Sequence, residues 1–330
     1  MKNHEKISRS IFRRLLPGLV LGFAILMVLL LLGDIRSVSA VVARFNWSIF
    51  PIVLLLTLVN YILRFIKWHY YLGQMNVSIA WPESLKIFVG GFPLAVTPGK
   101  AGEVVKAVWI QQRSALPVAK GVSIVVAERI SDGLAVLLLS TLGVIAYPQY
   151  WPAFVFVFVI LLGLVVVSQI RSLSLFILGV GERIPLLQRA IPTLRSFYEG
   201  SFSLFRPGAI LFAVALGTIS WLAEGIGFYL LLIGLGLPGG KTLFGAAVFI
   251  LAFSTVIGAV STLPGGLGAA ELSIAGMLTV IVHPGAAVSS AATLLIRLAT
   301  FWFSVVLGLG TWLLFPKLIG VSRREKRVES

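Results

Sequence analysis

The sequence predicts an all-α polytopic membrane protein with six spanning helices and two Gly/Pro-broken hairpins, arranged as two inverted repeats. Three observations predict it. Of 330 residues, 58% are hydrophobic and only 12% charged, with a mean hydropathy of +1.01, whereas soluble domains carry roughly 25% charged residues. Apolar runs at 15–33, 48–66, 121–146, 153–170, 208–236 and 286–315 each approach or exceed the ~20 residues that cross a bilayer. Two further apolar stretches, 84–112 and 242–283, are broken by Gly90, Gly91, Pro93, Pro98 and Gly99 and by Gly258, Pro264, Gly265, Gly266 and Gly268. Each reads as a hairpin, re-entrant or paired, that enters and leaves by one face.

In chain order, residues 1–47 form a basic tail and a first helix. Lys2, Lys6, Arg9, Arg13 and Arg14 precede the run 15–33, and Val38-Ser39-Ala40 follows it like a cleavage site. A signal h-region spans about 7–15 residues, so the longer run here predicts an uncleaved helix. Residues 48–146 form the first repeat. Residues 147–207 hold a connecting helix and an amphipathic segment at 171–206, where Arg171, Arg183, Arg189 and Arg195 stand among Leu, Ile and Phe, interrupted by Pro185 and Pro192. That pattern predicts a segment lying on the cytoplasmic leaflet with its arginines toward headgroups. The second repeat, 208–315, is followed by a basic tail, 316–330, and the whole, 1–330, reads as one transmembrane domain.

The net charge of +15 is explained by topology, without a nucleic-acid partner. With a cytoplasmic N-terminus, five lysines and arginines fall in the N-terminal tail, seven between Arg64 and Lys120, five between Arg171 and Arg206 and five from Lys317 onward. Only Arg36, Arg44 and Lys241 fall outside. That bias predicts a cell-membrane protein with both termini cytoplasmic. The chain has no cysteine, and His4, His69 and His283 are scattered, which excludes disulfides, thiolate chemistry and a His-based metal site. No metal site and no cofactor are expected.

Charges in the apolar segments need explaining, because a charge at mid-membrane costs about 2.5–3.5 kcal/mol on insertion scales. Arg129 and Arg297 fall in mid-span. Glu103 precedes Arg129 by 26 positions, and Glu271 precedes Arg297 by the same 26, which suggests an internal duplication. Its two copies are inverted by the charge bias, a pattern that points to a site near the midplane. Glu128 and Asp132 share a helix face, with Arg129 within reach of Asp132 as an ion pair. Arg297 has no acid in its own span, so its partner comes from Glu271, Glu224 or Glu103. Glu103 and Glu271 follow Pro-Gly breaks where helix N-termini favour anions, and both also fit as helix caps. Arg64 lies deep enough to face a cavity; Lys67, beside Trp68, Tyr70 and Tyr71, reads as a snorkelling anchor.

The segments TPGKAGE at 97–103, VVAERISD at 125–132 and LPGGLGAAE at 263–271 together resemble the flippase-like family, also described as the lysylphosphatidylglycerol synthase transmembrane region, over residues 15–315. The resemblance implies movement between leaflets of a lipid with an anionic headgroup, either aminoacyl-phosphatidylglycerol or a polyprenyl-phosphate-linked glycolipid. Matched by motif, Pro98, Gly99, Gly102, Glu103, Glu128, Arg129, Asp132, Pro264, Gly265, Gly266, Gly268 and Glu271 line the headgroup path; Arg64, Glu224 and Arg297 join them from the reading of the charges. Lysyl-lipid synthases of this kind carry a soluble acyltransferase domain after the membrane part. The chain ends at Ser330, so translocation without synthesis is expected, and no catalytic residue. No G-x-x-x-x-G-K-[ST] loop occurs, so transport is passive or coupled to an ion or proton. Two alternatives stand: a membrane enzyme acting on a lipid phosphate through Glu128 and Asp132, and a membrane partner of a separate lipid-modifying glycosyltransferase.

Overall fold

A computed structural model describes residues 34–144, 151–182 and 188–319, with isolated positions between 17 and 31. The expected first helix, Arg183, Pro185 and the basic tail beyond Ile319 lie largely outside the described residues. Those that are described are helical, without strands: α1 (Ile35–Ala43), α2 (Phe50–Gln74), α3 (Trp81–Gly90), α4 (Val105–Gln111), α5 (Val118–Val144), α6 (Trp151–Gln169), α7 (Arg171–Glu182), α8 (Ile191–Leu204), α9 (Pro207–Gly234), α10 (Lys241–Val260), α11 (Ala269–Met277), α12 (Ala286–Arg297) and α13 (Phe303–Leu314). The stretches Phe50–Gln74, Pro207–Gly234, Lys241–Val260, Pro264–Val282 and Ala286–Leu314 are long and apolar enough to cross a membrane, and α6 with α7 makes a sixth if their 82° bend lies within one span. The 27-residue α5 is long enough, about 40 Å at 1.5 Å per residue, and carries the charges of the site.

Apolar side chains cover the outside as well as the inside. Ile52, Leu55 and Ile62 on α2, Phe156 and Val159 on α6, Leu211 and Ile219 on α9 and Val306 and Leu313 on α13 are all exposed, a surface that water does not favour and lipid does. The opposite stripe of α2, Val53, Thr57, Asn60, Tyr61, Phe65, Trp68, Tyr71 and Leu72, recurs every three to four residues and is buried. The helix therefore continues past the expected end at 66. Trp68 and Tyr71 are core residues there and do not form an interfacial belt, and Lys67 is fully buried. The snorkelling expected of Lys67 is thus corrected.

The central helices are α2, α5, α9 and α10. Small residues let them approach: a Cβ on Gly217 of α9 would stand 3.0 Å from Ala135 of α5, and one on Gly225 would stand 3.0 Å from Val248 of α10. Buried polar groups fix the register. Asn60 Nδ2 donates to the Ser220 carbonyl at 2.9 Å, and the Tyr61 hydroxyl to the Thr300 carbonyl at 2.7 Å. Thr300 lies in a π-helical turn, Leu298–Trp302, that widens the last helical stretch immediately after Arg297, and such turns recur at functional sites.

The two broken stretches differ in their arms. The first has helices of 10 and 7 residues, α3 and α4, about 15 and 10 Å long and too short to cross a ~30 Å hydrocarbon core. The second has span-length arms, Lys241–Val260 and Pro264–Val282. Their turns match in detail. Thr97 (φ −73°, ψ 152°) and Leu263 (φ −62°, ψ 152°) are extended, as residues before proline must be; Gly99 (φ 56°) and Gly265 (φ 64°) then turn left-handed. The turns touch, with Gly99 N donating to the Thr262 carbonyl at 2.9 Å. The amphipathic segment forms α7 and α8, with α7 bent by 82° from α6.

Candidate functional site

The duplicated Glu-to-Arg spacing is realised as contact. Glu103 Oε2 lies 3.4 Å from Arg129 Nη2, and Glu271 Oε1 lies 2.6 Å from Arg297 Nε. A stretch of 26 residues thus runs in each case from a Pro-Gly turn around to a helix that returns beside it. The first copy carries the larger network. Glu128 accepts from Arg129 at 2.8 Å, Lys106 at 2.8 Å and Arg64 at 3.2 Å, and Asp132 is held by Lys67, with Arg64 at 3.4 Å and Arg129 at 3.9 Å. The Trp221 indole also donates to Asp132, at 3.3 Å. Arg129 is therefore anchored mainly by Glu128 and Glu103, because Lys67 and Arg64 from α2 take Asp132 from the other side. For Arg297, Glu271 is the partner among the three acids considered.

Four cations thus meet three carboxylates, all partly or wholly buried. An ion pair held away from water gains Coulomb energy only against a large desolvation cost, so a buried network of this size is weak evidence of a purely stabilising role. Each of three arginines keeps a buried nitrogen without a partner among the described residues: Arg64 Nε, Arg129 Nε and Arg297 Nη2. All three line one chamber of about 120 Å³, together with Tyr61, Lys100, Glu103, Lys106, Glu128, Glu224 and Gly265.

A second chamber of about 300 Å³ adjoins it, lined by Ile130, Val136, Val157, Leu161, Val256, Val260 and Leu263, with Gly99, Asp132 and Gly266 at its polar end. The two share Lys100, Arg129, Trp221 and Thr255. Together they reach the ~300–1,000 Å³ typical of small-molecule sites, one part charged and the other apolar.

Arg64, Glu103, Glu128, Arg129, Asp132, Glu224 and Arg297 are thus gathered around one polar centre, with Gly99, Gly265 and Gly266 in its walls. Pro98, Gly102, Pro264, Gly268 and Glu271 do not line it; they shape it. Thr97 Oγ1 donates to the Leu94 carbonyl at 2.7 Å and accepts from Gly102 N at 2.7 Å, with no room for a Cβ on Gly102. Glu271 is fully buried and caps α11, accepting from Gly268 N at 2.7 Å while its other oxygen holds Arg297. Both readings of Glu271, cap and ion partner, hold at once.

Of the turn amides expected to face the ligand, those of Gly99, Lys100, Gly102, Gly266 and Gly268 donate within the protein. Side chains supply most of the donors that face the chamber. Lys67, Lys100, Lys106 and Trp221 were missing from the predicted site. Lys67 follows Arg64 by one turn of α2 and Lys106 follows Glu103 by three residues, so the helical spacing carried a signal for both. Lys100 had none, since only the left-handed turn (φ 56°) aims its chain inward.

The sequence profile described as "Lysylphosphatidylglycerol synthase TM region" matches residues 19–308. A UPF0104 membrane protein of Methanothermobacter thermautotrophicus is 28% identical over 306 residues, covering 86% of this chain and 88% of that protein. Another, of Pyrococcus horikoshii, is 23% identical over 319 residues, covering 88% and 94%. The profile match runs from ahead of α1 into the first half of α13 and takes in both Pro-Gly turns and both Glu-Arg pairs, and the chain belongs to the lysylphosphatidylglycerol synthase TM region family.

Proposed function

We propose that the protein moves a phosphate-bearing lipid between the two leaflets of the cell membrane, with aminoacyl-phosphatidylglycerol and a polyprenyl-phosphate-linked glycolipid as the two candidate classes. The observation that carries this reading is the junction of a cationic chamber with an apolar one at Lys100 and Arg129. An amphiphile would place its phosphate on the arginines and its chain among Val136, Leu161 and Val256. Arginine grips phosphate bidentately and stays protonated throughout, so the unpartnered nitrogens of Arg64, Arg129 and Arg297 supply what the headgroup loses on leaving water. The halves 48–146 and 208–315 are inverted in this reading, with both termini cytoplasmic, and Arg129 and Arg297 contact the phosphate at successive stages of its passage.

The reading keeps the protein outside the enzymes. Glu128 and Asp132, the acid and base an enzyme would use, are both engaged by cations, which suits electrostatic scaffolding better than proton transfer to a substrate. The test is purified full-length protein in liposomes with a labelled anionic phospholipid. Exchange between leaflets without chemical change supports the proposal; a chemically altered lipid supports an enzyme, and neither result leaves a partner protein.

A further inference from the structure

Among the carboxylates around the polar chamber, Glu103, Glu128, Asp132 and Glu271 each have a lysine or arginine partner within 3.4 Å. Glu224, on α9, lines the same chamber, is only 6% exposed, and has no ion pair or hydrogen bond among the described residues. An intramembrane carboxylate without a partner marks a functional site by default. The network explains the other four acids and does not explain this one.

We propose that Glu224 is a proton-binding site linked to the phosphate: it takes up a proton as a phosphate diester enters the chamber and releases it as the diester leaves. The inference rests on the reading of the chamber as a phosphate site. Like charges in a small space shielded from water repel strongly, and a diester among Arg64, Arg129 and Arg297 shares about 120 Å³ with Glu224. Protonating Glu224 removes that repulsion. By linkage, a ligand that binds the protonated form better raises proton affinity by the same factor. Headgroup and proton then travel together, and a proton gradient drives the lipid.

The groups around Glu224 favour a proton over a larger cation. From α2 come Tyr61 and Arg64, from α5 Glu128, Arg129 and Asp132, from α4 Lys106, from α12 Arg297, and from the first Pro-Gly turn Lys100 and Glu103; α10 contributes Leu251 and Thr255, which do not titrate. The acids in this set other than Glu224 are already paired, and the four ion-paired cations Arg64, Lys106, Arg129 and Arg297 oppose a metal ion or ammonium beside Glu224. Lys100, the other unpaired charge, is the competing proton site.

Calorimetry on detergent-solubilised full-length protein separates these cases. Titration with glycerophosphoglycerol, a diester with no proton to exchange near neutral pH, in two buffers of different ionisation enthalpy counts protons taken up per ligand bound. The wild type takes up about one proton per diester and binds more weakly as pH rises, as linkage requires. Glu224→Gln takes up none, and its affinity is independent of pH. Glu224→Asp restores uptake, and Lys100→Arg, whose charge does not titrate, retains it. Uptake that persists in Glu224→Gln, or disappears in Lys100→Arg, overturns the assignment. Diester binding by the wild type without proton uptake overturns it too, but leaves the phosphate site standing; no binding removes both.

Discussion

Arg129 and Arg297 differ in how they are held, and the difference predicts how each fails. Arg129 has carboxylates on three sides, whereas Arg297 has Glu271 and the ring of Phe301, 4.5 Å from its guanidinium carbon. Arg297→Lys keeps charge but loses the fork, so transport should fall by at least about tenfold, the cost of one lost charge-assisted hydrogen bond of ~1.5 kcal/mol; initial rates in liposomes check this. Lys67 acts on stability instead. Lys67→Met leaves Asp132 short of its main partner and should destabilise by roughly 3–5 kcal/mol, while Lys67→Met with Asp132→Leu should recover most of the loss. Thermal unfolding of the three proteins reads it out; equal losses in single and double variants would show that Lys67 is held by packing alone. The acids and arginines within the apolar segments were legible in sequence, but Lys100 and Lys106, in the first broken stretch, were not. Partners were not, because Lys67–Asp132 and Arg64–Glu128 join α2 to α5 across more than 60 positions, and no local period encodes that.

The Pro-Gly turn is the element on which the site depends. Its length and dihedrals recur at 97–99 and 263–265 although the helices around them do not match, which locates the constraint in the turn itself. Gly102→Ala should show it most directly. The new methyl would meet Thr97 Cγ2 at 2.7 Å and Oγ1 at 2.8 Å, with the Leu94 carbonyl at 3.0 Å, and backbone gives way less readily than a side chain end. A loss of 1–3 kcal/mol, about the usual overpacking cost, should appear in thermal unfolding, and Thr97→Ala in the same chain should relieve part of it. Sequence marked these turns by their Pro and Gly, and the equal spacing suggested a duplication; that Glu103 touches Arg129 and Glu271 touches Arg297 is seen only in the structure. Sequence missed the unequal arms, because composition fixes apolarity and not helix length: Phe92–Val96 and Pro98–Val104 are 3₁₀ turns in a run as oily as a span.

At the scale of the molecule, the charge bias predicts a topology that the absence of native cysteine makes simple to test. A single cysteine at Lys241 should react with a membrane-impermeant maleimide on intact cells, and one at Lys120 only on inside-out vesicles; labelling of both from the same side would break the proposed inversion of the two halves. The central claim is leaflet exchange through the shared chamber, and it is tested most directly by quenching a fluorescent anionic phospholipid from outside proteoliposomes. The account predicts that wild-type protein carries the signal well below the plateau of protein-free vesicles, and that Arg129→Ala and Arg297→Ala, folded and reconstituted equally, return it to that plateau. Wild-type protein that stops at the protein-free plateau, or arginine variants that exchange lipid at the wild-type rate, would contradict it.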